Sequence, residues 1–510
     1  MSTALTSRQR NGILATMCLA LVAVVASVAG LNVALNELAV ELEASSTQVL
    51  WIVNAYTLTM AALLLPIGEL GDRFGRRRML IIGLAIFGAA NLGAAFAGDP
   101  STMITFRAIA GFGAAFVMPA TLSTLTAVFP PEERGQAVGV WAGFAGAGGI
   151  LGLFSSAILI DYASWEWLFV LPVVVAAVAI VASLVIVPET KNDDAPRFDL
   201  AGAALSILAV GGIVMGVEEG PHIGWTDPVT LTGLLGGLAA AIAFVYVERR
   251  AEHPLLDVRI FGNAALAAGS ASLLVLFALM LGSFLVVIQL LQAALGFSAV
   301  TAAAGLLPMA AGMMGLSPIA PRIAERFGLV NVLTVGSAAM AISFAWLGFA
   351  GDTYLSVLPG LVLLGLAMGL SMSPATTAIT EALPAERQGL ASALNDTVRE
   401  AGSALGIALI GSTLTSVYAS SIKDTTENLP AELAHPVEEG IGQALAVSAQ
   451  IGDADLATAA QQAFLDGWSV AMFVAAAAAI IGGVAVRALN QVQTSDDHTT
   501  SDDGELATVA

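Results

Sequence analysis

Gly68-Glu69-Leu70-Gly71-Asp72-Arg73-Phe74-Gly75-Arg76-Arg77-Arg78 lies between two long apolar runs, and its reading decides the fold. Glycines, an aspartate and four arginines are packed into a link too short to be a domain. A shorter copy, Ala324-Glu325-Arg326-Phe327-Gly328, follows; Asp72 and Glu325 are 253 positions apart. The same offset of 253 relates Pro131-Glu132-Glu133-Arg134 to Pro384-Ala385-Glu386-Arg387. Two matches at one spacing indicate a duplicated membrane unit of the kind transporters use.

Composition agrees with a membrane setting. The chain is 57% hydrophobic and 11% charged, with a mean hydropathy of +0.85, whereas soluble domains carry about a quarter charged residues. Apolar runs of ~20 residues, the length that crosses a bilayer core, recur throughout. They predict fourteen spans, at about 12–35, 49–69, 79–98, 101–128, 136–160, 166–187, 199–219, 228–247, 263–291, 299–320, 330–350, 356–379, 389–415 and 467–489. Backbone groups in lipid must be satisfied within the segment, so the spans are expected to be helices. The ~10-residue alternating segments of a barrel are missing.

Sidedness follows from the basic residues. With the N-terminus inside, Lys423 is the sole basic residue placed outside, while Arg107 and Arg399 fall within spans. This positive-inside bias puts both termini in the cytoplasm. Arg8 and Arg10 precede an apolar run reaching Leu35, too long for a signal peptide, which reads as an uncleaved first helix. Two lysines against seventeen arginines, with abundant Ala and Gly, suggest a GC-rich bacterium and hence a bacterial plasma membrane.

The fold class expected is therefore all-α integral membrane: two six-helix bundles in parallel repeat, plus two inserted helices. The units are residues 1–197, 198–262 for the inserted pair and its link, and 263–492, closed by an acidic tail at 493–510. Within the last unit, 416–466 is expected to be an acidic outer loop, its Ala-rich part near 454–465 forming a short surface helix. The tail is expected to be unstructured. The net charge of −20 sits mainly in that loop and tail, so it points to solvation and not to a nucleic acid or other basic partner. Cys18 stands alone, which excludes an internal disulfide. His222, His253, His435 and His498 fall in expected loops or the tail without metal-ligand spacing, and no Walker loop is present, so neither a metal, nor ATP, nor an enzymatic activity is expected. Energy is then expected from the proton gradient, with no cofactor. The expected partners are a small-molecule substrate, protons and the lipid bilayer, and the chain is expected to act as a monomer.

Charges inside spans are costly and so are candidate functional residues. Arg107 lies roughly 9–10 Å into the fourth span at 1.5 Å per residue; the alternative is an arginine that locks helix ends through carbonyls. In the thirteenth span, Asp396 and Glu400 are four apart and share a face, with Arg399 in reach of Asp396. A desolvated carboxylate can hold either a proton or a cationic substrate, and each use excludes the other. The alternative is an internal Asp396–Arg399 pair that neutralises both for insertion. Asn54, Tyr56, Gln289 and Gln292 are candidates for the substrate cavity, with Trp51, Trp141 and Phe144 as further aromatic candidates. Gly68, Gly71, Asp72, Arg73, Gly75 and Arg76 form a candidate cytoplasmic gate, in which Asp72 pairs with an arginine or caps a helix; the alternative is a purely topogenic basic loop. In the fifth span, Gly143, Gly148, Gly149 and Gly152 make a smooth packing ridge.

These stretches also carry a resemblance. The Gly68–Arg78 link closely resembles the loop signature of the major facilitator superfamily between its second and third helices. Arg107-Ala108-Ile109-Ala110-Gly111-Phe112-Gly113 resembles the family's fourth-helix motif, and Gly143 through Ser156 its fifth-helix antiporter motif. Trp165–Phe169, Tyr246–Pro254 and Gln289–Ser298 are similar to the 14-helix drug:proton antiporter branch. The resemblance implies proton-coupled efflux of drug-like molecules and a part for Arg107 in proton transfer. Three departures stand out: Ile150 where proline is usual, Ser155-Ser156 where glycines are usual, and Ser27 where the branch places an aspartate five residues before Asn32-Val33-Ala34-Leu35. The second helix is likewise neutral at Trp51-Ile52-Val53-Asn54. Coupling is then expected to fall on Asp396, Glu400 and Arg107, or else the substrate is not a cation; a narrow-substrate exporter of an endogenous metabolite, antibiotic or lipid, and a non-transporting membrane scaffold or sensor, are the alternative functions.

Overall fold

Helix ends are set by local chemistry. Thr6 and Ser45 build capping boxes with Gln9 and Gln48 at the starts of the first two helices. Asp99 caps the fourth, and its hydrogen bonds from the Thr102 hydroxyl and amide hold that carboxyl below the usual range. Gly75 (φ 108°) and Gly328 (φ 87°) end their helices in the left-handed region that favours glycine. These two stops are 328 − 75 = 253 positions apart, so the duplicated motif is also a duplicated backbone turn.

A computed structural model describes residues 5–192, 197–427 and 429–506. Among them are fourteen helices long and apolar enough to cross a membrane. In chain order they are Ser7–Leu31, Thr47–Phe74, Arg76–Ala94, Pro100–Val128, Pro131–Tyr162, Trp167–Ile186, Leu200–Ile223, Pro228–Glu248, Ala264–Ala294, Ala299–Leu316, Leu329–Phe349, Tyr354–Glu381, Ala385–Thr426 and Ala454–Gln491. They form two bundles with the same internal neighbours. The first helix packs on the fifth and sixth, the second on the fourth, and the third on the fourth and sixth. In the other bundle the ninth packs on the thirteenth and fourteenth, the tenth on the twelfth, and the eleventh on the twelfth and fourteenth. The bundles meet along two seams, one between the second and thirteenth helices and one between the fifth and tenth. The seventh and eighth helices pack on each other, and the seventh covers the first of these seams.

The segment between the thirteenth and fourteenth spans differs from expectation. The thirteenth helix runs to Thr426, and short helices follow at Ala431–Glu439 and Ile441–Ile451. The Ala-rich stretch from Ala454 is the opening of the last spanning helix and not a separate surface helix, because no Gly or Pro breaks it before Gly467. That helix continues through the acidic stretch to Leu506; residues 507–510 lie outside the described residues, as do the side chains beyond 491.

Candidate functional site

The arginine-rich end of the molecule is closed by contacts between the halves. Gly68 lets the second helix meet the thirteenth backbone to backbone: a Cβ there would stand 2.7 Å from the Gly389 carbonyl oxygen. One turn further on, Asp72 Oδ1 accepts the backbone N–H of Gly389 at 2.7 Å, and Oδ2 that of Leu390 at 3.0 Å. Asp72 thus caps a helix of the opposite bundle. Arg76 pairs with the same carboxylate at 2.7 Å and also donates to the Ala385 carbonyl at 3.2 Å. Glu69 and Arg387 add a partly screened pair at 3.4 Å, and Arg387 donates to the carbonyls of Pro254 and Leu255 in the link after the inserted helices. Gly71 meets nothing where a Cβ would stand, and the Arg73 guanidinium carbon lies 6.0 Å from the centre of the neighbouring Phe74 ring.

The fifth-helix glycines pack as expected of small residues. A Cβ on Gly152 would overlap Ala26 of the first helix, Gly148 and Gly149 face Val25 and Ala29, and Gly143 approaches Met314 of the tenth.

Toward the middle of the bundle lies a cavity of about 220 Å³. Its wall is mostly apolar, with Phe277, Met280 and Phe284 from the ninth helix, Ile150 from the fifth and Val28 from the first. Polar groups are few: Asn54 and Thr57 on the second helix, Glu218 and His222 on the seventh, and Arg399, Glu400 and Ser403 on the thirteenth. Such a wall suits an amphipathic guest, with wide apolar contact and a handful of placed polar groups.

The two acidic residues of the thirteenth helix have different surroundings. Asp396 is fully buried and paired with Arg399 at 2.9 Å, and Asn395 donates to the same oxygen. Arg399 in turn lies 4.5 Å from the centre of the Phe277 ring and 5.4 Å from that of Trp141. Glu400 is half-buried on the cavity wall and makes no hydrogen bond or ion pair among the described residues. The internal ion pair considered above therefore exists, and among the described residues it leaves Glu400 as the unpaired carboxylate of this helix on the cavity wall.

Among the described residues, Arg107 has no acidic partner within hydrogen-bonding reach. Its Nε donates to the Ile52 carbonyl at 3.0 Å, and its guanidinium carbon sits 4.5 Å from the centre of the Tyr56 ring. Nη1 reaches the Ser27 hydroxyl at 3.5 Å, and Nη2 is buried without a partner. Tying a helix through a carbonyl is the locking role considered as the alternative for this residue. Ser27 offers a hydroxyl where a carboxylate would have completed the site.

Several expected cavity residues lie elsewhere. Tyr56 is fully buried beneath Arg107, with its hydroxyl donated to the Val24 carbonyl, because its ring is needed to face the guanidinium. Gln289 is exposed and Gln292 half-buried at the π-turn Leu290–Ala294 that ends the ninth helix, away from the cavity. Trp141 is core, donating to Thr121. Conversely, Glu218 and His222 were not expected. Glu218 sits at the edge of the predicted seventh span, where an acid reads as a helix end; His222, expected in a loop, is in that helix's last turn. The rule that an acid within a span is a candidate would have found Glu218.

No group of three or more metal-ligating side chains occurs among the described residues.

A family model described as Major Facilitator Superfamily matches residues 17–407. The multidrug resistance protein Stp of Mycobacterium tuberculosis is 30% identical over 459 residues, covering 88% of this chain and 86% of that protein. The multidrug efflux pump LfrA of Mycolicibacterium smegmatis is 32% identical over 464 residues, covering 88% and 91%. Among solved structures, the proton:xylose symporter XylE superposes with a TM-score of 0.59 at 15% identity, covering 94% of this chain and 95% of that one, which speaks to the fold alone.

Proposed function

The chain belongs to the major facilitator superfamily, and from that premise we propose that it is a proton-coupled exporter of hydrophobic or amphipathic small molecules, of the 14-helix drug:proton antiporter type. It would work in a bacterial plasma membrane with both termini cytoplasmic, as a monomer whose cavity is complete within one chain.

The observation that carries this reading is Glu400, an unpaired carboxylate on a mostly apolar wall. A substrate cation about 4 Å from it, at an effective dielectric near 20, gains ~4 kcal/mol, roughly a thousandfold in affinity. A proton on Glu400 removes that attraction. Substrate and proton therefore compete for one group, and exchange of one for the other as the cavity changes sides is antiport. In the arrangement described, the arginine-rich end is shut by Asp72, Arg76, Gly389 and Leu390, so the cavity's exchange with the cytoplasm awaits their separation. Similarity to Stp and LfrA supports drug-like substrates. A narrower range, confined to one endogenous metabolite, antibiotic or lipid, would use the same cavity.

Purified protein in proteoliposomes tests the reading. An imposed pH gradient is expected to drive ethidium against its concentration gradient, with counter-movement of protons reported by a trapped pH dye. Ethidium flux indifferent to the pH gradient would refute proton coupling.

A further inference from the structure

The inserted seventh helix does more than cover a seam, since its inward stripe supplies side chains to the cavity. Val214, Glu218 and His222 are spaced four apart, so they line one face, and all three stand on the cavity wall. Successive members are ~6 Å apart along the axis. His222 lies in the last turn at the helix end and is exposed, while Glu218 is half-buried one turn deeper. The sequence repeat has no counterpart for this helix.

We propose that Glu218 is a second proton-exchanging carboxylate of the transport cavity, held by Thr57 and reached from the outer water along the His222 side of the seventh helix. The proposal rests on the proton-coupled reading above and extends it to two protons per substrate.

The hydrogen-bond geometry at Thr57 is the main ground. Its hydroxyl lies 3.1 Å from Glu218 Oε1 and 3.1 Å from the Asn54 carbonyl oxygen. A hydroxyl has one proton to donate and lone pairs with which to accept. When Glu218 is ionised, Thr57 donates to it. When Glu218 carries a proton, the carboxyl O–H donates to Thr57 Oγ1, and Thr57 turns its own proton to the Asn54 carbonyl. Both states are satisfied with the heavy atoms in place, so neither leaves a polar group orphaned in the bilayer interior. A structural glutamate has no need of such a two-way partner.

The charges around the site complete the argument. On the seventh helix itself Glu219 is the next residue, turned about 100° away, and His222 is the nearest base. The second helix presents Tyr56, sealed under Arg107; its own acids Glu69 and Asp72 belong to the far, closed end. The thirteenth presents Asp396 and Arg399, which neutralise each other, and Glu400. The eighth presents only Tyr246 and Glu248, at its arginine-rich end. Glu218 and Glu400 are thus the two carboxylates on the cavity wall that, among the described residues, have no basic side chain bound to either.

Full-length protein in proteoliposomes decides the matter by a ratio and not a rate. Accumulated ethidium is measured against known pH gradients until net flux vanishes, which gives protons per substrate. Wild type is expected to give a ratio of two. Glu218→Gln is expected to give one, lowering the ethidium gradient sustained per pH unit about tenfold, and Glu218→Asp is expected to restore two. A ratio that is the same in wild type and Glu218→Gln overturns the proposal. A second measurement does not need turnover: labelling of Glu218 by a hydrophobic carbodiimide, read by mass spectrometry between pH 5.5 and 8.5. Glu218 is expected to label, with a pH profile that moves in Thr57→Val and returns in Thr57→Ser. An unlabelled Glu218, or coincident profiles for wild type and Thr57→Val, overturns the proposal even if Glu218→Gln fails to fold. Absence of pH-driven ethidium flux in wild type, with the labelling pattern intact, counts against the proton-coupled reading while leaving Glu218 as a proton-exchanging cavity group.

Discussion

Asp72 and Gly389 are joined by a 2.7 Å hydrogen bond from backbone amide to carboxylate, although 317 positions separate them. A carboxylate at a helix N-terminus satisfies free N–H groups and meets the positive end of the helix dipole. Here the helix and its cap lie in different halves of the molecule, so the bond exists only while those halves are together. Asp72→Ala is therefore expected to destabilise the closed arrangement by about 1–2 kcal/mol and to raise the open population roughly five- to thirtyfold. Labelling of an Ala393→Cys reporter, which faces Gly68 in the closed contact, by a membrane-impermeant maleimide in inside-out vesicles checks this. An unchanged labelling rate would mean that Asp72 does not hold the halves together.

Glu400→Gln is expected to keep the fold, since the side chain has no hydrogen-bond or ion-pair partner among the described residues to lose, and to lower pH-driven ethidium accumulation by at least tenfold. Gradient-free ethidium exchange is expected to weaken by a smaller factor and to lose most of its dependence on pH, the remainder belonging to Glu218. The measurement is exchange between pH 6 and 8 for both proteins, alongside thermal unfolding to show equal stability.

Asp396→Asn is expected to act through stability, because it strands Arg399 as a buried charge. Breaking such a pair from one side costs about 3–5 kcal/mol. The double variant Asp396→Asn with Arg399→Gln removes both charges and is expected to recover most of the loss. Thermal unfolding in detergent of wild type, single and double variants reads this directly; a single variant as stable as wild type would show that the pair contributes nothing.

Ser27→Asp is expected to stabilise the protein. It brings a carboxylate to a guanidinium that is already buried and has one nitrogen without a partner, so the desolvation cost of the arginine has been met beforehand. A rise in unfolding temperature that disappears when Arg107→Gln is added identifies the new pair as the cause.

The bundle topology was legible because glycine and spacing each leave a mark in one dimension. Gly75 and Gly328 announce two turns at the repeat offset. Asp396 was half legible: three-residue spacing to Arg399 allows the pair, but only packing under Phe277 and Trp141 decides that Arg399 turns to Asp396 and leaves Glu400 free. The cavity wall was not legible. Spanning helices apolar on every side carry no amphipathic period to say which face turns inward, which is why Tyr56, Gln289 and Gln292 were expected in the cavity and Thr57 and Glu218 were not.

The seventh helix covers the seam between the second and thirteenth helices, and among the described residues neither inserted helix packs over the seam between the fifth and tenth. A two-fold machine has thereby been given a front and a back. An oily molecule wandering in the plane of the bilayer meets a shielded flank on one side and bare doorposts on the other. Sideways access, if the halves part there, has a single address, framed by the glycine-lined fifth helix.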